Sequence, residues 1–375
     1  MNIKTTLKAS VAAAALIAVA APVVSSSAQA GPIAAGGDNN SVVISGQLVR
    51  SMLYMDNGQT TEYQGIDGGN DANSRLRILV SGQLTESIDV GGVWEANLPN
   101  SNNGGTASVG LNSETSGDSA FGFRKTDITF NHASLGKLYI GQAETSSDNK
   151  PSLDSTGNNN AGMTYGGAIQ LSNSTTKANA GTAGDAFASY FGGRNDRVRY
   201  DTPDIVGFKL SGSLIEGDNW DVGLTYGATY GDFQVAAAAQ YQSINSTSVS
   251  AQYGAGLAVK HSSGVSAGVH AGREIENTER AATLANVQGK SWGAEVGYTT
   301  SAMSNLGSTS ASLVYVNSKD ANQNGMHATL WGFHVKQALP AGVDVFGAYE
   351  VSSFDLNGST ISDVSTALVG TQISF

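Results

Sequence analysis

The stretch Trp220–Tyr230, WDVGLTYGATY, alternates between two kinds of side chain without interruption. Its even positions carry Trp220, Val222, Leu224 and Tyr226, followed by Ala and Tyr, whereas its odd positions carry only Asp, Gly and Thr. A period of two predicts a β-strand with one bulky apolar face and one small polar face. In a soluble sandwich the apolar face would point at a core. The deciding question is therefore which solvent each face meets.

The same alternation recurs along most of the chain. In SRLRILVSG, for example, Leu76, Ile78 and Val80 share a face opposite Arg75 and Arg77. Counting such segments predicts sixteen strands. Their ranges are 41–55, 73–84, 86–98, 120–131, 136–143, 194–202, 206–216, 219–230, 232–242, 251–261, 264–274, 288–299, 308–317, 327–337, 342–353 and 361–375.

The connections between these strands alternate in length. One set consists of tight turns with the sequences TES, HASLG, GD, SSG and ALPAG. The other set is mostly longer and polar and includes 56–72, 99–119, 144–193 and 275–287. Short turns at one end and long loops at the other are typical of transmembrane barrels, whose long loops are extracellular.

Strand length favours a barrel in lipid over a soluble fold. Eleven residues at ~3.3 Å each span ~36 Å, and a tilt of ~45° leaves ~26 Å, close to the ~25 Å apolar band of outer-membrane barrels. In lipid every backbone polar group must be paired, so the sheet has to close. A sandwich would need large inward side chains and a charged exterior. We therefore predict a closed all-β antiparallel barrel, with a soluble β-sandwich or β-solenoid adhesin as the alternative.

This barrel would reverse the usual solvation of the opening stretch. Trp220, Tyr226 and Tyr230 would face outward, with Trp220 and Tyr230 near the two membrane interfaces. Asp221 and the threonines would face water inside the barrel.

The first thirty residues have the features of a secretory signal peptide. Lys4 and Lys8 precede the apolar run SVAAAALIAVAA, and Ala28 and Ala30 form an A-x-A cleavage signal. The run is too short for a spanning helix of ~20 residues. Removing residues 1–30 would leave 31–375 as the barrel and change the formal charge from −11 to −11 − 2 = −13. Such an acidic chain argues against binding to nucleic acid.

Nothing in the sequence points to a cofactor. The five histidines lack the i,i+4 spacing of metal ligands, and the GxG pieces do not lie between a strand and a helix. The acid-rich loops leave structural calcium open, although no EF-hand spacing is present.

Four segments resemble the general porins of Gram-negative outer membranes, in particular those of α-proteobacterial type. They are SRLR at the start of the second strand, LGKLYIGQAETS before the long third loop, YFGGRNDRVRYDTP after it, and the terminal TQISF with Phe375. The resemblance implies a sixteen-stranded barrel, a homotrimer and a third loop, 144–193, that folds into the lumen and narrows it. Independently, fifty residues without a clear strand exceed ordinary connections, so this segment is either functional or disordered.

The resemblance also implies the function. We expect a water-filled channel of the bacterial outer membrane for passive diffusion of small hydrophilic solutes and ions, in contact with lipid and lipopolysaccharide. The alternatives are a substrate-selective channel and a barrel with a closed lumen acting as an enzyme or adhesin. The expected function requires no catalysis.

Porins of this family build the narrowest point from loop acids opposite basic wall residues. The corresponding acids here are Glu144, Asp148, Asp154 and Asp185. The corresponding bases are Arg75, Arg77, Lys125, Arg194, Arg197 and Arg199. Arginines facing lipid would cost ~2–4 kcal/mol each at the midplane, so a luminal position is favoured; some could instead bind lipopolysaccharide at the rim.

Three positions fit this scheme poorly. Arg124 has the wrong parity unless a bulge intervenes, and Gln142 stands where many relatives have arginine. Arg50 shares parity with Leu48 and Met52, an unfavourable lipid-facing position unless the first strand bulges or a subunit interface covers it.

Overall fold

The chain forms a closed antiparallel barrel of sixteen strands. The computed structural model describes residues 33–34, 40–66, 73–98, 122–148, 169–176, 179–183, 186–187, 190–246, 249–276, 288–321 and 324–375. The expected signal peptide, 1–30, lies outside these ranges. None of the described segments forms a helix long and apolar enough to cross a membrane.

The barrel strands follow the predicted order, and every strand end lies within three residues of its predicted position. They are β1 (Ser41–Asp56), β2 (Arg75–Thr85), β3 (Ile88–Asn97), β4 (Gly122–His132), β5 (Gly136–Glu144), β6 (Arg194–Asp201), β7 (Phe208–Ile215), β8 (Asn219–Tyr230), β9 (Phe233–Ser243), β10 (Val249–His261), β11 (Val265–Glu276), β12 (Lys290–Thr300), β13 (Thr309–Lys319), β14 (Met326–Leu339), β15 (Val343–Leu356) and β16 (Val364–Ser374).

Closure comes from the pairing of the last strand with the first. Each strand pairs with the next in the chain, and β16 pairs with β1 from Gln47 opposite Ser374 to Asp56 opposite Ser365. The terminal Phe375 exchanges two backbone hydrogen bonds with Gly46, at 2.8 and 3.0 Å. The sheet therefore has no free edge, as lipid requires.

The two faces of β8 meet different surroundings, as predicted. Val222 and Leu224 are each 40% exposed on the outside, and Trp220 is 43% exposed. Asp221, on the opposite face, is only 1% exposed. The bulky face therefore points out of the barrel, which excludes the sandwich. The expectation that Asp221 faces water is wrong, because another part of the chain covers it.

The inner side of β1 is unexpectedly apolar. Val49, Leu53 and Met55 are completely buried there, whereas Arg50 is exposed on the outer face, as its parity predicted. The inward residues join a hydrophobic cluster formed by β1, β13, β14, β15, β16 and residues of the 144–193 connection. One side of the barrel interior is thus packed like a protein core.

Short strands outside the barrel accompany the long connections. Thr61–Ile66 folds back on the second half of β1, and Gln170–Ser172 pairs with Asn179–Thr182 inside the 144–193 connection.

Candidate functional site

A buried carboxylate on β3 holds three guanidinium groups on the inner wall. Glu95 has no exposed side-chain surface and lies opposite Arg77 in the β2–β3 register. Arg77 Nε donates to Glu95 Oε2 at 2.6 Å, Arg124 Nε donates to Oε1 at 2.8 Å, and Arg75 Nη1 lies 3.6 Å from Oε1. Three positive charges thus surround one negative charge. The carboxylate is shielded, so the accessible side of this cluster is basic.

A β-bulge brings Arg124 into the cluster. Glu95 lies opposite Lys125, but the next residue, Ala96, lies opposite Phe123, so Arg124 is the extra residue of β4. An extra residue changes the side-chain parity of the strand beyond it. The bulge therefore lets the Arg124 side chain point inward to Glu95, whereas strict alternation with Lys125 would have turned it outward. Lys125 also reaches inward, and its Nζ lies 2.6 Å from Glu144 Oε1.

The two arginines of β6 bind acceptors within the protein. Arg197 donates to Asp127 Oδ2 at 2.7 Å and to the Gly141 carbonyl at 2.8 Å. Arg199 forms a two-point pair with Asp201, at 2.7 and 3.0 Å, and donates to the Thr145 carbonyl at 2.9 Å. Both side chains are almost fully buried. They tie β6 to β4, β5 and the start of the 144–193 connection.

The remaining predicted residues have different positions. Arg194 begins β6, lies opposite Glu144 in register and is exposed. Asp148 ends the single turn Ser146–Asp148 just beyond β5. Asp154 and Asp185 lie outside the described residues. The role of the whole set at the narrowest point stays a prediction.

The first residues after β5 bind the inward carboxylate of Asp221 on β8. Ser146 N donates to its Oδ1 at 3.1 Å, and Ser147 donates to its Oδ2 through N at 2.9 Å and Oγ at 2.6 Å. Ser146 N also donates to Ser213 Oγ on β7 at 2.8 Å. This part of the connection therefore lies against the inner surface of β7 and β8.

The last residues before β6 lie against β9, β10 and β11. Tyr190 is 1% exposed, and its ring packs against Gly254 and Gly272. Gln240 Nε2 donates to the Tyr190 carbonyl at 2.8 Å, and Gln252 Nε2 donates to the Phe191 carbonyl at 2.9 Å. Burial raises the pKa of the Tyr190 phenol above its usual value, so the phenol stays neutral.

The middle of the same connection packs against the opposite side of the barrel. Ile169, Leu171 and Phe187 belong to the hydrophobic cluster on β1 and β13–β16. Phe187 stacks edge-on against Phe354, with ring centroids 6.1 Å apart. Ser362 N donates to the Ser172 carbonyl at 2.9 Å and joins the segment to the β15–β16 connection.

Several inner charges did not figure among the predicted site residues. Glu95 is the centre of the arginine cluster. Its position in the sequence already indicated an inward side chain, because Glu95 alternates with the apolar Trp94 and Ala96. His334 Nε2 lies 2.8 Å from Glu350 Oε1 on the inner faces of β14 and β15. Within the described ranges, no three acidic, histidine or cysteine side chains come together to hold a metal ion. Structural calcium therefore stays untested.

A family model described as Gram-negative porin matches residues 12–357. The chain belongs to the Gram-negative porin family. This porin is a channel of the bacterial outer membrane. Its family consists of channels rather than enzymes; the absence of catalysis in this chain stays a prediction.

Solved structures share the porin's fold at low sequence identity. The anion-selective porin from Comamonas acidovorans is 14% identical, with a TM-score of 0.60, over 90% of this chain and 100% of that one. A trimer form of OmpT from Vibrio cholerae is 14% identical, with a TM-score of 0.56, over 90% and 100%. OmpF from Salmonella typhi, in complex with daunomycin, is 14% identical, with a TM-score of 0.56, over 92% and 100%. No curated protein is significantly similar to the chain in sequence.

Proposed function

We propose that this porin lets small hydrophilic solutes and ions diffuse passively through a lumen narrowed by residues 144–193. The observation that carries the proposal is the contact between the ends of this connection and the inward side chains of β7–β11. Irregular backbone at membrane depth is tolerated where it lines a water-filled cavity.

The charges around the passage support filtration by polarity. The Arg75, Arg77 and Arg124 cluster presents its basic side, because Glu95 is buried beneath it. Asp148, Asp154 and Asp185 supply acids from the connection. Glu144 instead ends β5, and its carboxylate pairs with Lys125 on the basic wall. Opposed charges would create a transverse field that favours polar solutes over apolar ones, which cannot replace their lost hydration.

The surroundings of the porin are inferred from its surface and its structural neighbours. The apolar outer face would contact lipid, and lipopolysaccharide would bind at its outer rim. A homotrimer is supported by the trimer form of the Vibrio cholerae neighbour. The quoted segments support an α-proteobacterial type, and residues 1–30 would be removed on export. We propose no resident cofactor.

Planar-bilayer recording of the purified porin tests this function. We expect stepwise conductance that rises in proportion to salt concentration and discriminates weakly between small ions. Saturable block by one sugar or anion would instead indicate a substrate-selective channel. No conductance from a folded barrel would contradict the proposal and indicate a closed lumen.

A further inference from the structure

The start of the 144–193 connection is held by a carboxylate that lies three strands away from β5. Asp221 accepts three hydrogen bonds from Ser146 and Ser147, two of them from backbone N–H groups. Hydrogen bonds to an ionised acceptor are roughly twice as strong as neutral ones. Because backbone groups are bound, Asp221 determines where the main chain runs and not only where a side chain points.

The wall beside Asp221 is shaped for this close approach. A Cβ at Gly223, on the same inner face of β8, would collide with the Ser146 carbonyl oxygen. The glycine therefore allows the connection to lie directly on the strand backbone.

The end of the connection is held by a second, independent contact. Gly254 and Gly272 leave a recess on β10 and β11 that the Tyr190 ring occupies; a Cβ at Gly254 would lie 2.7 Å from that ring. Gln240 and Gln252 bind the carbonyls of Tyr190 and its neighbour. Aromatic burial and hydrogen bonds thus hold the same segment.

The two held segments are also joined to each other. Thr145 N donates to the Gly193 carbonyl at 3.1 Å, and Gly192 N donates to the Ser147 carbonyl at 3.2 Å. Release of either contact would therefore loosen both ends of the connection.

We propose that Asp221 and the Gly254–Gly272 recess are positioning residues that hold both ends of residues 144–193 against β7–β11 and thereby set the open cross-section of the pore. This inference rests on the proposed channel function. It adds two contact sites on the wall, Asp221 and the recess at Gly254 and Gly272, that determine the size limit for solutes.

The test compares Asp221→Ala and Gly272→Ala with the unmodified porin and with Asp232→Ala. Asp232 lies in the β8–β9 turn, so its substitution removes the same charge away from the connection. Folding is checked first by heat-modifiable mobility in SDS gels. We expect larger and noisier single-channel conductance from Asp221→Ala and Gly272→Ala, whereas Asp232→Ala conducts as the unmodified porin does. Unchanged conductance in both folded variants would overturn the proposal.

Limited proteolysis separates this inference from the proposed function. Asp221→Ala removes the charge-assisted hydrogen bonds to Ser146 and Ser147, so a larger fraction of molecules should have the connection detached from the wall. We expect cleavage within 144–193 to be about tenfold faster than in the unmodified porin. This readout does not need a conducting pore. Unchanged cleavage would contradict the inference, whereas a folded, non-conducting unmodified porin would contradict only the proposed function.

A cross-link gives the reverse test. The chain has no cysteine, so Ser147→Cys with Asp221→Cys introduces one thiol pair where the two side chains now touch. The oxidised double variant should show steady, unmodified conductance, and reduction should produce the noisy state of Asp221→Ala. A conductance insensitive to reduction of the disulfide would overturn the proposal.

Discussion

At the scale of single residues, one buried carboxylate organises the basic wall. Glu95 is fully buried and contacts Arg75, Arg77 and Arg124, which come from the two strands that flank β3. The three guanidinium groups carry the same charge and repel one another, so the cluster depends on the negative charge of Glu95 between them. Removing one partner of a buried ionic cluster leaves uncompensated charge and costs more than the pair itself contributes.

Glu95→Gln tests this dependence, because it keeps the shape of the side chain and removes its charge. We expect the free energy of unfolding to fall by about 3–5 kcal/mol and the channel to become more anion-selective. Urea unfolding in lipid vesicles and the reversal potential in a salt gradient measure the two effects. The control is Glu216→Gln in the exposed β7–β8 turn. A reversal potential identical to that of the control would contradict the charge argument.

At the scale of an element, the bulge in β4 adds a third arginine to the inner wall while β4 stays paired with β3 on both sides of it. Arg124 is the extra residue, and its neighbours Phe123 and Lys125 already lie opposite adjacent residues of β3. The register on either side of the bulge therefore does not require Arg124. Elsewhere in β4 a one-residue change would turn side chains to the wrong face.

Deletion of Arg124 should accordingly leave a folded barrel. Deletion of Ile128 should not, because it would turn Asp127 and Lys125 toward lipid, where a lysine costs ~2–4 kcal/mol at the midplane and an aspartate less. The measurement is the yield of heat-modifiable barrel after refolding into vesicles. Equal yields from the two deletions would contradict the argument that Arg124 can be removed without shifting the pairing of β4 with its neighbours.

At the scale of the whole molecule, the barrel places bulky apolar side chains on its outer surface and small or polar ones on its inner wall, the reverse of a soluble protein. Leu224 and Thr225 are neighbours near the middle of β8, and their side chains point to opposite faces of the wall. Leu224 is exposed on the outside. The same charged substitution should therefore have opposite consequences at the two positions.

Leu224→Arg places the charge in lipid and should lower the free energy of unfolding by ~2–4 kcal/mol near the midplane. Thr225→Arg places it inside and should fold normally while changing the conductance. Unfolding by urea in vesicles measures the first effect, and bilayer recording measures the second. If the two variants were equally stable, the assignment of the two faces would be wrong.

The strands and their faces could be predicted because both depend on local order. Side chains alternate with every residue of a strand, so the sequence around Trp220 or Leu76 already determines which residues share a face. The tight turns and the closing Phe375 strand were predicted for the same reason. Arg75 and Arg77 could be placed on the inner wall because they alternate with Leu76 and Ile78, whereas Lys125 was expected there only from the resemblance to porins.

Contacts between distant segments could not be predicted in this way. Parity placed Asp221 on the inner face, but its partners Ser146 and Ser147 are more than seventy residues earlier in the chain. The apolar interior around Val49 and Leu53 likewise depends on Phe187 and Leu171, which the fold brings across the barrel. The bulge at Arg124 depends on its register against Glu95.

The sequence by itself therefore determined that this protein is an antiparallel barrel of sixteen strands with one bulky apolar face, because a repeat of two residues sets the orientation of each side chain. Only the tertiary structure decided which inward groups meet water and which meet another segment. Burial and hydrogen bonding between residues far apart depend on how the closed sheet brings them together, and no local pattern encodes that distance.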